Sequence, residues 1–452
     1  MAGLRESEIC RLRDRTRRKG YSLKMDMDEV EKTMQVIVIG GGAAGFFGAI
    51  ACAEAHPQVR VRLLEAGKTP LQKVRISGGG RCNVTHACFD PAELVNFYPR
   101  GGKALRGAFS RFQPGDTVAW FEARGVRLKI EEDGRMFPTT DDSATIVECL
   151  SRSARQAGVR AQTSAAVADV ARRDDGFVVQ LRTGEQMQGD RLLLATGSSP
   201  QGHRFAKKLG HTLQPPVPSL FTFNITDSTL TALAGIAVPH ATLRLLTSDA
   251  PDLEQSGPVL ITHWGLSGPA ILKLSAWGAR HLHTSRYRAT LQVNWLPDRS
   301  SDEILQHLRD AREQSPKRAI ASTPLFDLPR RLWGYLTERA GIMPNHRWAN
   351  LSRQQTHQLV NGLTQSSFDV SGKGVFKEEF VTCGGVSLDE VNFRLMESRR
   401  CPGLHFAGEI LDIDGITGGF NFQSAWTTGW LAGQAMGKPV TSPNRAEATF
   451  QR

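Results

Sequence analysis

Val36-Ile37-Val38-Ile39 is apolar at every position and too short for a helix. Such a run predicts a strand buried on both faces, as inside a parallel sheet. It passes into Gly40-Gly41-Gly42-Ala43-Ala44-Gly45, after which small residues recur through Ala49, Ala51 and Ala53, predicting a closely packed helix. A second strand, from Arg60 to Leu64, ends on Glu65. Strand, Gly-x-Gly-x-x-Gly, helix, strand and terminal acid, in that order, predict a dinucleotide site. Gly40 permits the tight turn, Gly42 lets backbone approach a pyrophosphate, and Gly45 lets helix and strand meet. Free N–H groups at Ala43 and Ala44 favour the diphosphate charge, and Glu65 is placed to accept from a ribose.

Alternation of α and β patterns continues from 34 to about 225. Helices are expected from Thr117 to Arg124 and from Ser143 to Gln156. Strands from Ala165 to Val170 and from Phe177 to Leu181 should pair around Asp174-Asp175-Gly176. A buried strand from Arg191 to Ala195 closes on Thr196-Gly197, returning the chain to the crevice at the strand C-termini. Between 226 and 375 the texture changes: β-like runs (Ala241 to Leu246, Ala289 to Trp295), a helix from Ser301 to Glu313, and polar linkers. This stretch reads as an inserted substrate or cap domain. Its motif-like element is Thr262 to Pro269, with a helix from Ala270; His263 there is a substrate contact or a turn histidine. From 376 to 437 the chain returns to the first domain, with a strand into Gly408-Glu409, then Gly418-Gly419-Phe420-Asn421 and a helix from Gln423 to Met436. Residues 1–33 read as a flexible extension, basic and then acidic, and 438–452 as a tail.

One nucleotide site is approached twice, from residue 34 and from residue 404, which suits a cofactor as large as FAD. A second strand–Gly-x-Gly-x-x-Gly–helix unit for a pyridine nucleotide is missing. Free N–H groups in the first turn of the last helix would stabilise negative charge on a flavin ring. No CxxC occurs among the seven cysteines, which argues against a dithiol reductase. Cys82, His86 and Cys88 lack a matching second half for zinc, so isolated thiols and no metal are expected. The 56 basic and 45 acidic residues leave a net charge of +11, which suits a polyanion such as nucleic acid or simple solubility. Neither a signal peptide core nor an 18-residue apolar span is present, so a cytoplasmic protein without a membrane association is expected.

Ser77-Gly78-Gly79-Gly80-Arg81-Cys82-Asn83, Thr262 to Pro269, Val381 to Val386 and Gly403 to Gln423 together resemble the signatures of the HI0933-like bacterial flavoproteins. The resemblance spans about 34–437. It implies an α/β protein: a glutathione-reductase-type Rossmann-like FAD domain with an inserted, mixed β-barrel-like and helical domain. It implies FAD as cofactor and NADH or NADPH as reductant, with hydride passing through flavin N5 to an activated C=C bond. The substrate would be a small unsaturated molecule or, as in one branch, a uracil of large-subunit ribosomal RNA; a flavin amine oxidase or a non-catalytic flavin-bearing RNA-binding protein are the alternatives. Three departures stand out: Gly67 to Val74 reads GKTPLQKV, Phe420 replaces a tyrosine, and His86 replaces an asparagine.

Candidate cofactor contacts are Gly40, Gly42, Ala43, Ala44, Gly45, Glu65, Lys73, Ser77, Gly78, Gly79, Arg81, Cys82, Thr196, Gly197, Gly408, Glu409, Gly418, Gly419 and Asn421. Arg81, Cys82 and Asn83 are the catalytic candidates. Arg81 has the planar fork for a carbonyl or phosphate; Cys82 is a proton donor if its thiol is exposed, otherwise a small core residue. Asp412 and Asp414 position substrate or cap a turn.

Overall fold

The computed structural model describes residues 33–174, 176–246, 251–374 and 381–438. The extension expected before 33, the tail after 438 and Asp175 of the expected turn lie outside the described residues.

Val36 to Ile39 lie in an interior strand of a seven-stranded sheet and are 0–5% exposed, as a run apolar on both faces requires. Gln35–Ile39 pairs in parallel with Arg191–Leu194 on one side and Arg60–Leu64 on the other. Arg160–Gln162 and Leu404–Phe406 extend the parallel set, and two short antiparallel strands, Glu397–Ser398 and Val391–Asn392, finish one edge. Val167–Arg173, Gly176–Leu181 and Gln186–Gly189 form the expected antiparallel pair plus a third strand. All five parallel strands end at the same side, where the sheet meets the glycine loop.

Several boundaries moved for local reasons. The helix expected from Thr117 spans Pro114–Glu122, because Gln113 and Asp116 form a reciprocal capping box and Pro114 takes the first turn. The last helix begins at Phe420, not Gln423, since Gly419 at φ 93 supplies the left-handed entry. The helix Ser143–Gln156 stands where the apolar spacing put it.

The inserted region is a closed antiparallel barrel of Phe223–Ile225, Gly265–Ser267, Leu253–Thr262, Ala237–Leu246, Ala289–Asn294 and Ser366–Lys373. Along one strand Ala241, Leu243 and Leu245 are fully buried while Thr242 and Arg244 face out, the period of two that a one-sided strand requires. Helices Ser301–Gln314, Arg330–Arg339 and Arg353–Thr364 lie between its last two strands in sequence. Outgoing strand Leu213–Ser219 pairs antiparallel with returning strand Val381–Val386, so the chain leaves and re-enters the first domain through one ladder. No helix among the described residues is long and apolar enough to cross a membrane.

Candidate active site

Each glycine of the first turn has a distinct steric reason. A Cβ on Gly40 (φ +110) would meet the Ala195 carbonyl oxygen at 2.3 Å, and one on Gly45 would meet the Gly40 oxygen at 1.9 Å. Both glycines are therefore demanded by backbone packing. Gly42 differs: a Cβ there meets nothing within 4 Å. It caps the helix Ala43–Ala55 without a side-chain hydrogen bond, so the N–H groups of that first turn lack a side-chain acceptor. A dinucleotide diphosphate fits this cradle by charge and by space. Glu65 accepts from the Gly41 N–H at 2.7 Å and from the Gly67 N–H at 2.6 Å, which fixes its carboxylate at the loop while leaving lone pairs for a ribose.

A second segment closes on the same place. Gly408 (φ +74) donates its N–H to Thr428 Oγ1, and a Cβ on it would meet the Ala44 Cβ at 2.8 Å. Glu409 accepts from Lys73 Nζ at 2.6 Å and from the Thr382 N–H at 3.0 Å; its carboxylate also lies 3.6 Å from the Cβ position of Gly197. Thr196 Oγ1 and His203 Nε2 beside it are buried polar atoms without a hydrogen-bond partner among the described residues. Burial holds the His203 imidazole below its usual pKa against the pull of Glu409, which favours its neutral form. Orphaned polar atoms at such a crevice are what a polar ligand would satisfy.

Convergence of the two segments rests on a helix crossing. The helices Ala43–Ala55 and Phe420–Met436 meet through glycine: a Cβ on Gly429 would lie 2.7 Å from the Ala44 oxygen, and one on Gly433 2.5 Å from the Gly48 oxygen. Backbones this close bring both helix N-termini to one end of the sheet. The four-residue spacing of Gly429 and Gly433 carried this signal in the sequence.

Around Gly418-Gly419 the candidate side chains brace backbone. With its amide turned to the orientation that satisfies both groups, Asn83 donates to the Thr85 oxygen and accepts from the Gly419 N–H, each at 3.0 Å. Asn421 exchanges two bonds with the backbone of Gly415, at 2.8 and 2.9 Å, and so clamps its own loop. His86 Nδ1 lies 3.1 Å from the Gly418 oxygen, and the His86 and Phe420 rings are 4.6 Å apart. Phe420 is buried, stacked on Phe97, and its carbonyl accepts from Tyr98. Below, Gln423 accepts from the hydroxyls of Thr85 and Thr117, a buried network that periodicity could not reveal.

The signature loop contains three consecutive left-handed glycines, Gly78, Gly79 and Gly80 at φ 58, 68 and 85. Added Cβ atoms at Gly79 and Gly80 meet nothing within 4 Å, so this turn presents bare backbone outward. Ser77 Oγ donates to the Val74 oxygen and fixes the turn's start. Cys82 fails the condition set for a proton donor. Its side chain is wholly enclosed, and burial pushes its thiol up to about 12. Arg81 is likewise engaged: it pairs with Glu131 at 2.6 Å, lies 3.5 Å from Asp141, and sits over the Phe137 ring.

Asp412 and Asp414 neither touch the crevice cradle nor cap a turn. Asp412 takes both its oxygens to Arg280 of the inserted region, at 2.7 and 2.8 Å. Asp414, fully buried, accepts from Arg100 Nε, Arg100 Nη2 and Ser219 Oγ, while Arg100 also donates to the Ala276 oxygen. They fasten the inserted barrel to the first domain. Sequence gave no sign of this, because their partners lie 132 and 314 positions away. His263 is exposed in the turn between Leu253–Thr262 and Gly265–Ser267.

Residues 34–435 match the family model described as "HI0933-like protein Rossmann domain". The chain is 32% identical over 410 residues to the ribosomal RNA dihydrouridine synthase of Escherichia coli, covering 88% of this chain and 96% of that one. It is 30% identical over 408 residues to the protein of the same name from Haemophilus influenzae, covering 87% and 96%. It is 29% identical over 406 residues to a 3-dehydro-bile acid delta(4,6)-reductase of Clostridium scindens, covering 88% and 98%. With its Rossmann-like sheet, inserted barrel and double approach to one crevice, this chain belongs to the HI0933-like family of FAD-dependent oxidoreductases.

Proposed function

We propose that this protein uses NADH or NADPH to reduce a ring C=C bond conjugated to a carbonyl, and that its substrate is a uridine in large-subunit ribosomal RNA. The observation that carries the reading is the close approach of Gly408 to Ala44, where the segment returning from residue 404 closes on the first turn of the first helix. The names of the relatives point the same way, since a dihydrouridine synthase and a delta(4,6)-reductase both saturate ring double bonds. Two relatives named as ribosomal RNA dihydrouridine synthases and the net charge of +11 support the RNA substrate.

FAD held in this crevice would supply two-electron redox chemistry, with the reduced nicotinamide as its source of electrons. The chain's residues do the rest. Gly40, Gly42, Ala43, Ala44 and Gly45 hold the diphosphate, Glu65 the adenosine ribose, and Thr196, Gly197, Gly408 and Glu409 line the middle of the cofactor. Lys73 neutralises Glu409 and closes that side. Ser77, Gly78, Gly79, Gly418 and Gly419 frame the ring, with Asn83 and Asn421 fixing the frame. Arg81 and Cys82 shape the loop from behind, the thiol as an apolar plug. With Cys82 enclosed and Phe420 lacking a hydroxyl, neither of these side chains delivers the proton.

Anaerobic addition of NADH or NADPH to FAD-loaded protein should bleach the flavin absorbance, and unmodified ribosomal RNA should restore it and gain dihydrouridine by mass spectrometry. No bleaching with either nucleotide refutes the reductant. Reoxidation by a cyclic enone but not by RNA moves the substrate to a small molecule.

A further inference from the structure

We propose that a basic depression beside the sheet edge is a second contact surface for RNA, taking backbone phosphates on its arginines and a base against Phe393. It rests on the RNA reading above and adds residues that lie outside the cofactor crevice. Two adjoining hollows of ≈ 420 and ≈ 450 Å³ share Arg111, Asn392 and Arg394. Arg399 and Phe393 line the first, Lys438 the second, and no carboxylate lines either.

Arg111 follows the helix Gly102–Phe109 and donates to the Arg394 carbonyl oxygen, which ties the two walls together. Arg399 donates through Nε to the Val391 oxygen at 3.3 Å. Each bond orients a guanidinium while leaving most of its five N–H donors available. Among the described residues, none of Arg111, Arg394, Arg399 and Lys438 forms an ion pair, although neighbouring Arg400 pairs with Glu390 at 2.7 Å. Four like charges gathered without a counter-charge attract an anion. Guanidinium forks match phosphate oxygens, and a half-buried ring offers a face to a base. Two joined hollows suit successive phosphates of a strand better than a single ion.

The test uses the full FAD-loaded chain and a large-subunit ribosomal RNA fragment, with binding read by fluorescence anisotropy across a salt series. Arg394→Glu combined with Lys438→Glu alters two side chains that donate to no partner among the described residues. The double variant should bind at least about tenfold more weakly, and its salt slope should flatten by about 1.4, two single-strand contacts' worth. NAD(P)H-driven reduction of ferricyanide should be unchanged. Lys317→Glu with Arg318→Glu, an equal charge change on the inserted region, should bind as wild type does. Equal loss in both double variants, or an unchanged slope in the first, overturns the proposal. Wild-type binding with an unimpaired first variant overturns this surface alone; RNA binding without dihydrouridine leaves it standing and refutes the substrate reading. Failure of the wild type to bind RNA overturns both.

Discussion

Gly42 and Gly45 sit three residues apart in one motif, yet the structure predicts opposite failures for them. Gly42 has φ −90 and ψ −168, ordinary extended backbone, and its Cβ position meets nothing within 4 Å. Gly42→Ala should gain about 0.4–1 kcal/mol by restricting the unfolded chain and lose a comparable amount as a poorer helix cap. The melting temperature of the cofactor-free protein should therefore stay within about 3 °C of wild type. The methyl group would nevertheless occupy the space through which backbone N–H groups reach a diphosphate. One lost charge-assisted bond costs about 1.5–3 kcal/mol, or about a tenfold to hundredfold loss in FAD affinity. Gly45→Ala instead places a methyl 1.9 Å from the Gly40 oxygen, so the loop itself must move, at about 1–3 kcal/mol or more. Scanning fluorimetry of the apoprotein and FAD titration by calorimetry separate the two. Wild-type FAD affinity in folded Gly42→Ala protein would refute the assignment of this cradle to the diphosphate.

Other expectations follow from burial. All six described cysteines are buried, so a thiol reagent at mildly alkaline pH should label none of them before denaturant is added. With its thiol pushed up to about 12, Cys82→Ala should keep turnover within about tenfold of wild type, whereas an essential acid would cost about a hundredfold or more. His405 is 2% exposed, and burial lowers it to about 4. The unfolded chain takes that proton first as pH falls, so up to about 3 kcal/mol is lost between roughly pH 6.5 and pH 4. Urea midpoints across that window should fall, and less steeply in His405→Leu. Asn421→Ala frees the Gly415 backbone and should lower FAD affinity more than it lowers the apoprotein melting temperature.

The cradle was legible because its causes are local. Val36 to Ile39, the three glycines and Glu65 lie within about thirty positions and obey steric rules that leave few alternatives. The barrel strand around Leu243 and Leu245 was visible through its period of two. Closure of that barrel was not readable from the residues, since it depends on pairing between Phe223–Ile225 and Ser366–Lys373, far apart in the chain. The roles of side chains were the least visible. Arg81, Cys82 and Asn83 look chemically loaded in sequence, yet in space they form an ion pair, a core plug and a loop tether. Asp412 and Asp414 showed neither their partners nor their depth of burial.

Those two aspartates make the crevice and the inserted barrel depend on each other. Asp412 and Asp414 leave one side of their segment toward the barrel, while Ile413 between them packs on Gly101. The same segment meets Ala44 through Gly408 and Asn83 through Gly419. Removing Arg100 strands a fully buried carboxylate, whereas removing Arg280 frees Asp412, 12% exposed, from a partner that is itself 44% exposed. Breaking a buried pair costs about 3–5 kcal/mol; breaking a partly exposed one costs about 1 kcal/mol or less. Arg100→Met should therefore lose several times more stability than Arg280→Met in urea unfolding. Because the displaced segment also forms the crevice wall, Arg100→Met should release FAD faster even under conditions where it stays folded. Equal FAD off-rates in wild type and Arg100→Met, with the large stability loss present, would show that the anchor fastens the barrel without shaping the site.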